Sequence, residues 1–179
     1  ICPQKLERYR REYDIPEYDA QIITGTKHMA DLFEETTKIC DKPKKVSNWL
    51  MGETMRLLKE NSMEAEEICF APEHLAALIE LVDAGTINGS VAKEVFEEMF
   101  RSDINPEKYV EEKGLKVVND EGALRETIEK VIADNPQSVE DYHNGKKKAM
   151  GFLVGQTMKA MKGKANPAMV NAILQELLA

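Results

Sequence analysis

The feature that most constrains the fold is the spacing of apolar residues, which recur three and four positions apart in one segment after another. Clear examples are Met29, Leu32, Phe33 and Ile39 in one segment, with the small polar Thr36 at the same spacing, and Leu75, Leu78, Ile79 and Val82 in another. This spacing places the side chains on one face of an α-helix, so each segment predicts an amphipathic helix with one buried side. The one strand-like run, Lys116–Val118, has no second run with which to pair. The sequence therefore predicts an all-α fold.

Helix boundaries in the sequence predict two small helical domains joined near residues 101–105. Asn105-Pro106, Asn135-Pro136 and Asn166-Pro167 each place a capping side chain before a proline that suits the first helical turn. The predicted domains are residues 1–104, a helical bundle, and residues 105–179, a helical tail. Within the first domain, Lys5–Tyr13 is charged and sparsely apolar, and we expect it to be a surface helix that leads in from a missing domain.

The charge of the chain is distributed unevenly along the sequence. The chain has 24 basic and 32 acidic side chains, for a formal net charge of −8. Residues 143–166 nevertheless contain no carboxylate, and they contain six lysines: Lys146, Lys147, Lys148, Lys159, Lys162 and Lys164. The acidic balance argues against nucleic-acid binding over the whole surface, so any such contact must be made by this basic patch.

A helix through the lysine-rich segment would have two distinct faces. Met150, Leu153, Val154, Met158 and Met161 fall on one side, and Lys148, Gly151, Gly155, Lys159 and Lys162 fall within an arc of roughly 80° on the other. Each interior glycine costs a helix about 1 kcal/mol relative to alanine, so two of them require a reason. Either the bare backbone admits a bulky phosphate-bearing anion between the ammonium groups, or it seats a neighbouring helix while the lysines are merely solvated. The spacing alone leaves both interpretations open.

Cysteine and histidine show no ligand spacing, and no catalytic motif is present. The residues concerned are Cys2, Cys40, Cys69, His28, His74 and His143. The cysteines form no CxxC pair, which argues against a disulfide framework or a zinc site and favours a reducing, cytoplasmic compartment. Phosphate-binding loops, dinucleotide-binding turns and nucleophile elbows are absent, as is any apolar run of the roughly 20 residues that a membrane span needs. We expect no catalytic residue, no metal site and no membrane contact.

The lysine-rich segment closely resembles a known family signature. Gly145–Pro167 reads GKKKAMGFLVGQTMKAMKGKANP, which is similar to the YqeY-like tail of the B subunit (GatB) of glutamyl/aspartyl-tRNA amidotransferases. Leu81–Met99 resembles the helical domain of that family, and Val110–Leu115 resembles its junction with the tail. The likeness runs from about Tyr18 to Leu177.

The resemblance implies a function for the complete enzyme. Such a ligase converts Glu-tRNA(Gln) or Asp-tRNA(Asn) to Gln-tRNA or Asn-tRNA, using ATP, magnesium and ammonia that an amidase subunit releases from glutamine. The expected partners are tRNA and the amidase (A) and small (C) subunits. Because the catalytic domain is missing from a chain that begins abruptly at Ile1, we expect a non-catalytic piece that binds tRNA and holds no cofactor itself.

The resemblance also directs attention to particular residues. The lysines Lys146, Lys147, Lys148, Lys159, Lys162 and Lys164 are expected to contact phosphates, with Gly151 and Gly155 allowing close approach. Phe152 and Gln156 project near the same edge, where either side chain can touch a base or ribose, because folded RNA is read by shape, stacking and 2′-hydroxyl contacts. For Phe152 the favoured interpretation is that neighbouring helices cover it. The alternative function is a helical protein-interaction module that uses the Gly151 and Gly155 face for a partner helix. A free-standing YqeY-like protein is disfavoured by the additional helices before Asn105.

Overall fold

The computed structural model of the protein describes residues 3–179, and its regular structure there is helical, as predicted. The helices are α1 (Pro3–Tyr13), α2 (Glu17–Ile23), α3 (Lys27–Cys40), α4 (Pro43–Trp49), α5 (Met55–Glu60), α6 (Pro72–Asp83), α7 (Gly89–Ser102), α8 (Pro106–Glu112), α9 (Glu121–Asp134), α10 (Pro136–His143), α11 (Lys148–Ala160) and α12 (Pro167–Leu178). A π-helical segment, Leu50–Thr54, joins α4 to α5 without a break, and Ala65–Glu67 form a 3₁₀ turn.

The chain divides into two compact units. The first unit runs up to Ala84 and takes in Ala92–Gly114, and the second unit consists of Gly85–Val91 and Leu115–Ala179. By this packing α8 belongs to the first unit. The domain boundary between residues 104 and 105 stays a prediction, because packing alone does not test where one functional domain ends.

The core of the first unit includes a residue that the sequence did not lead us to expect. Tyr9 on α1 is fully buried, and its ring centroid lies 5.0 Å from that of Phe33 on α3. Burial raises the pKa of Tyr9 to about 12. The prediction that Lys5–Tyr13 is a surface helix was therefore wrong for this side of α1, because one aromatic face is enough to dock a charged helix.

The predicted apolar stripes of the first unit are otherwise largely buried, although Val82 on α6 is only half-buried. Leu75, Leu78 and Ile79 on α6 are inaccessible, and α6 packs against α3. Ile39 on α3 is 52% exposed. It lies in the last turn of α3.

The second unit is built around α9, α11 and α12, with α10 against α11. Its buried core contains Leu124, Ile128, Val131, Leu153, Ala165, Val170, Ile173, Leu174 and Leu178. The strand-like run does find partners, contrary to expectation: Val117 N–H donates to Thr86 O at 2.8 Å, and Val118 N–H donates to Lys164 O at 2.6 Å. Within residues 3–179 these bonds give one isolated parallel bridge, between Val118 and Ala165.

Two of the three asparagine–proline helix starts have the predicted cap. Asn105 Oδ1 accepts from Glu107 and Lys108 N–H, and Asn166 Oδ1 accepts from Ala168 N–H at 3.0 Å. Asn135 makes no such bond, because it also ends α9 and its side-chain amide donates to Val131 O at 2.8 Å. The positions of the helix starts were predicted correctly, but one cap was not.

Across the described residues, no helix combines the length and apolar character needed to cross a bilayer. Cys40 and Cys69 are free thiols. Cys2 lies outside the described residues, so the prediction about it is not addressed.

Candidate nucleic-acid interface

The orientation of α11 is fixed by its apolar side, which is buried as predicted. Leu153 and Thr157 are fully buried, and Met150, Val154, Met158 and Met161 pack against the core of the second unit. At about 100° per residue, the direction midway between Gly151 and Gly155 lies roughly opposite Leu153. The two glycines therefore face away from the core, and both are exposed.

The two glycines have open space above them. A Cβ atom added at Gly151 or at Gly155 would meet no heavy atom within 4 Å beyond the helix itself. Within residues 3–179, then, neither glycine is required for close packing of a neighbouring helix. Packing of a neighbouring helix within the described residues is therefore excluded as the reason for the two glycines. That an anion approaches them closely stays a prediction.

Exposed lysines lie at both ends of this bare surface. Lys148 begins α11 and Lys159 is in its last turn, about 16 Å apart along the axis at 1.5 Å per residue. In the described part of the chain, no carboxylate oxygen lies within 4.0 Å of either ammonium group. This separation favours an extended polyanion over a single phosphate group as the matching ligand.

The start of α11 concentrates positive charge. Helix α10 ends at His143, and the chain turns at Gly145 (φ 89°), where Lys146 N–H donates to Asp141 O at 2.9 Å. Helix α11 follows at Lys148 without an acidic residue in its first turn. Lys146, Lys147 and Lys148 are all exposed, and Lys146 Nζ lies 3.6 Å from Asp141 Oδ1. Cations at the positive end of a helix dipole are unfavourable for folding, but they add to its attraction for anions.

The end of α11 differs from the prediction, which placed Lys162 on the helix. The helix ends at Ala160, and Lys162 lies beyond it in the left-handed region with φ 56°. Lys162 N–H donates to Lys159 O at 3.0 Å and Gly163 N–H donates to Met158 O at 2.8 Å, which is the hydrogen-bond pattern of a Schellman motif. Lys162 is exposed, whereas Lys164 is half-buried beside the Val118 bridge.

Phe152 is where the structure departs most from the sequence-based expectation. Its side chain is 47% exposed, so the prediction that neighbouring helices cover it was wrong. The helical angles already contained the signal, because Phe152 lies about 40° from Lys148 and about 100° from Leu153. Gln156, one turn further along, is half-buried.

Acidic and basic side chains are nearly balanced in the second unit, whereas acidic side chains dominate the rest of the chain. The second unit has nine lysines and arginines against eight carboxylates, and the rest of the chain has fifteen against twenty-four. The acidic excess of the protein therefore lies outside the unit that presents the glycine surface.

The remaining titratable side chains of the described residues do not form a second site of comparable definition. Between residues 3 and 179 no group of three or more His, Cys, Asp or Glu side chains could hold a metal ion. His74 Nδ1 lies 2.8 Å from Asp103 Oδ1 in the first unit, and His143 Nε2 lies 2.8 Å from Leu178 O in the second.

Comparison with known proteins gives a consistent answer over nearly the whole chain. The family described as the GatB domain matches residues 31–178. The B subunit of the aspartyl/glutamyl-tRNA(Asn/Gln) amidotransferase of Agathobacter rectalis is 72% identical over 99% of this chain and 38% of its own length. The corresponding protein of Lachnoclostridium phytofermentans is 61% identical over 97% of this chain and 36% of its own length, and that of a Thermoanaerobacter species is 58% identical over 98% and 37%. The chain thus spans little more than a third of these relatives.

Proposed function

The chain belongs to the GatB domain family, and from this premise we propose that it binds tRNA for an aspartyl/glutamyl-tRNA amidotransferase through the exposed face of α11. In the complete enzyme, Glu-tRNA(Gln) or Asp-tRNA(Asn) is converted in the cytoplasm to Gln-tRNA or Asn-tRNA with ammonia derived from glutamine. The amidase (A) and small (C) subunits are its protein partners. This part of the enzyme holds the substrate and does not transform it.

The observation that carries the proposal is the open backbone of Gly151 and Gly155 between exposed lysines. A folded RNA presents a row of phosphates and 2′-hydroxyls, and proteins recognise such surfaces largely by shape and backbone contact. With no side chain at the two glycines, the sugar-phosphate backbone reaches the helix surface. Lys148 and Lys159 then contact phosphates from the two ends, while Lys146, Lys147, Lys162 and Lys164 extend the positive field beyond them.

We propose that ATP and magnesium act outside this part of the enzyme. No cluster of three potential metal ligands occurs among the described residues, and the sequence contains no phosphate-binding loop. We therefore assign the activation of the tRNA-borne carboxylate to the portion of the relatives that this chain does not span, and no catalytic role to the residues above.

The proposal is tested by measuring the affinity of the 179-residue chain for a tRNA transcript at fixed salt. Replacing Lys148, Lys159 and Lys162 together by glutamine is expected to weaken binding about ten-fold or more, because three phosphate contacts are lost. The matched control replaces Lys113, Lys116 and Lys130, which are also exposed and change the net charge equally. Equal weakening by the two triple variants would contradict a local interface.

A protein-binding role for the same face makes a different prediction. If Gly155 seats a helix of a partner subunit, Gly155→Leu abolishes association with that subunit, while the triple lysine variant leaves the association intact. If Gly155 instead faces RNA, Gly155→Leu weakens tRNA binding and leaves subunit association unchanged. Measuring both associations on both variants separates the two functions.

A further inference from the structure

The environment of Phe152 suits a specific contact with RNA in addition to the electrostatic attraction that the lysines provide. Among the described residues, four large apolar side chains are exposed: Tyr18, Ile39, Met55 and Phe152. The first three lie in the first unit, and Phe152 lies in the second, on the helix that carries the glycine surface. An exposed phenylalanine within a basic surface combines a planar apolar ring with groups that hold phosphates nearby.

We propose that Phe152 stacks on an unpaired base of the bound RNA, in a slot whose open side is the bare backbone of Gly155. The inference rests on the proposed tRNA-binding function and adds to it a class of ligand, an RNA with at least one base outside a helix. Double-stranded RNA presents phosphates to lysines equally well, but its paired bases are not free to stack on a protein ring.

The geometry of the helix provides the slot. Side chains three and four residues apart are neighbours on a helix, and long side chains lean towards the preceding turn. The ring of Phe152 therefore leans towards Lys148 and Ala149, and its neighbours on the following turn are Gly155 and Gln156. Gly155 contributes no side chain, and a Cβ built there would meet nothing within 4 Å. The side of the Phe152 ring that faces Gly155 is thus left open. Gln156 lies next to this open side, and its amide can hydrogen-bond a base edge.

The flanking charges suit an RNA ligand better than an apolar partner. Lys148 and Lys159 are exposed at either side of Phe152 along the same ridge, and in the described part of the chain neither is neutralised by a carboxylate within 4.0 Å. An apolar protein surface placed on Phe152 would have to desolvate both ammonium groups without compensation. A nucleotide offers a stacking face and a phosphate together.

The test compares three substitutions of Phe152 in the full chain. Phe152→Leu keeps an apolar, helix-favouring side chain but removes the ring, and it is expected to weaken binding to a tRNA transcript by about five-fold to a hundred-fold. Phe152→Tyr and Phe152→Trp retain a ring and are expected to bind like the parent chain. Binding to a fully paired RNA duplex with the same number of phosphates should be unaffected by all three. Tyr18→Leu, at an exposed aromatic residue of the first unit, is the matched control and should change neither affinity.

Fluorescence provides a readout that a purely structural role would not move. The chain has one tryptophan, Trp49, so the emission that Phe152→Trp adds reports the new ring. Quenching of that added emission by tRNA, and not by the duplex, is expected.

If Phe152→Leu binds tRNA like the parent while the triple lysine variant does not, the stacking inference is overturned and the proposed function stands. If none of these variants alters tRNA affinity, both fail. If Phe152→Leu loses a protein partner but not tRNA, the ring serves protein association and the inference is wrong.

Discussion

At the scale of single residues, Lys162 is the most informative position in the second unit. Left-handed backbone is costly for residues other than glycine, by about 1 kcal/mol or more, and Lys162 adopts it with φ 56°. The neighbouring Gly163 is also left-handed, so this turn contains one residue suited to the conformation and one that is not. A lysine at a position where asparagine or glycine would fold better is expected where its charge is used.

Lys162→Asn is therefore expected to lower the affinity for tRNA without lowering the stability of the fold. Asparagine tolerates the left-handed region, so the free energy of unfolding should stay unchanged or rise by up to about 1 kcal/mol. Affinity for a tRNA transcript should nevertheless fall, because one phosphate-contacting charge is lost. Lys162→Arg, which keeps the charge, is the matched control and should preserve binding. Parallel denaturant melts and binding titrations check both quantities, and unchanged tRNA affinity in Lys162→Asn would remove Lys162 from the interface.

At the scale of the element, α11 carries features that lower its stability and that no packing contact within the described residues offsets. Gly151 and Gly155 lower its helix propensity, and lysines crowd its positive end. The structure shows no packing contact that either glycine makes possible. These costs are consistent with a helix whose exposed face is shaped for a ligand.

Alanine at Gly151 and at Gly155 is expected to stabilise the protein and to weaken its binding to tRNA. Each change should raise the free energy of unfolding by about 1 kcal/mol, since the new Cβ meets nothing within 4 Å. The added methyl groups would also hold the RNA backbone away from the helix. Gly52→Ala is the matched control, because Gly52, in the π-helical segment Leu50–Thr54 of the first unit, is also exposed and has equally open space. It should stabilise the protein similarly and leave tRNA affinity unchanged. Unaltered binding by the Gly151 and Gly155 variants would argue against close approach.

Helix periodicity was sufficient to predict the elements, but not the partners that each helix meets. The buried side of α11 and the ends of α9 and α12 follow from spacing and from Asn and Pro signals alone. The burial of Tyr9 depends on Phe33, which is distant in sequence, and no local pattern announces that contact. Phe152 was misjudged because neighbouring helices were expected to cover it, and helix spacing does not say which helices meet. Asn135 was misjudged because it both ends α9 and precedes α10.

At the scale of the whole molecule, the second unit is discontinuous in sequence. Gly85–Val91 belongs to it, and within it Thr86 O accepts from Val117 N–H and Asn88 donates to Gly163 O, beside Lys162. No sequence signal near residue 105 predicts these contacts, because they join segments about 30 and 75 residues apart. A cut between residues 104 and 105 would remove them, so binding experiments on the tail are best made with the full chain.

The distribution of charge over the molecule makes the central claim directly measurable. The chain as a whole is acidic, so RNA binding that depends on a local basic face must vary with salt according to the phosphates that this face contacts. Each contact contributes about −0.7 to −0.9 to the slope of log affinity against log salt concentration. The decisive measurement is this slope for tRNA binding by the parent chain, by the Lys148, Lys159 and Lys162 triple variant, and by the Lys113, Lys116 and Lys130 control. We predict that the slope of the first triple variant is shallower by about two or more, and that the control keeps the parental slope. An identical slope in all three proteins would contradict the assignment of the tRNA interface to α11.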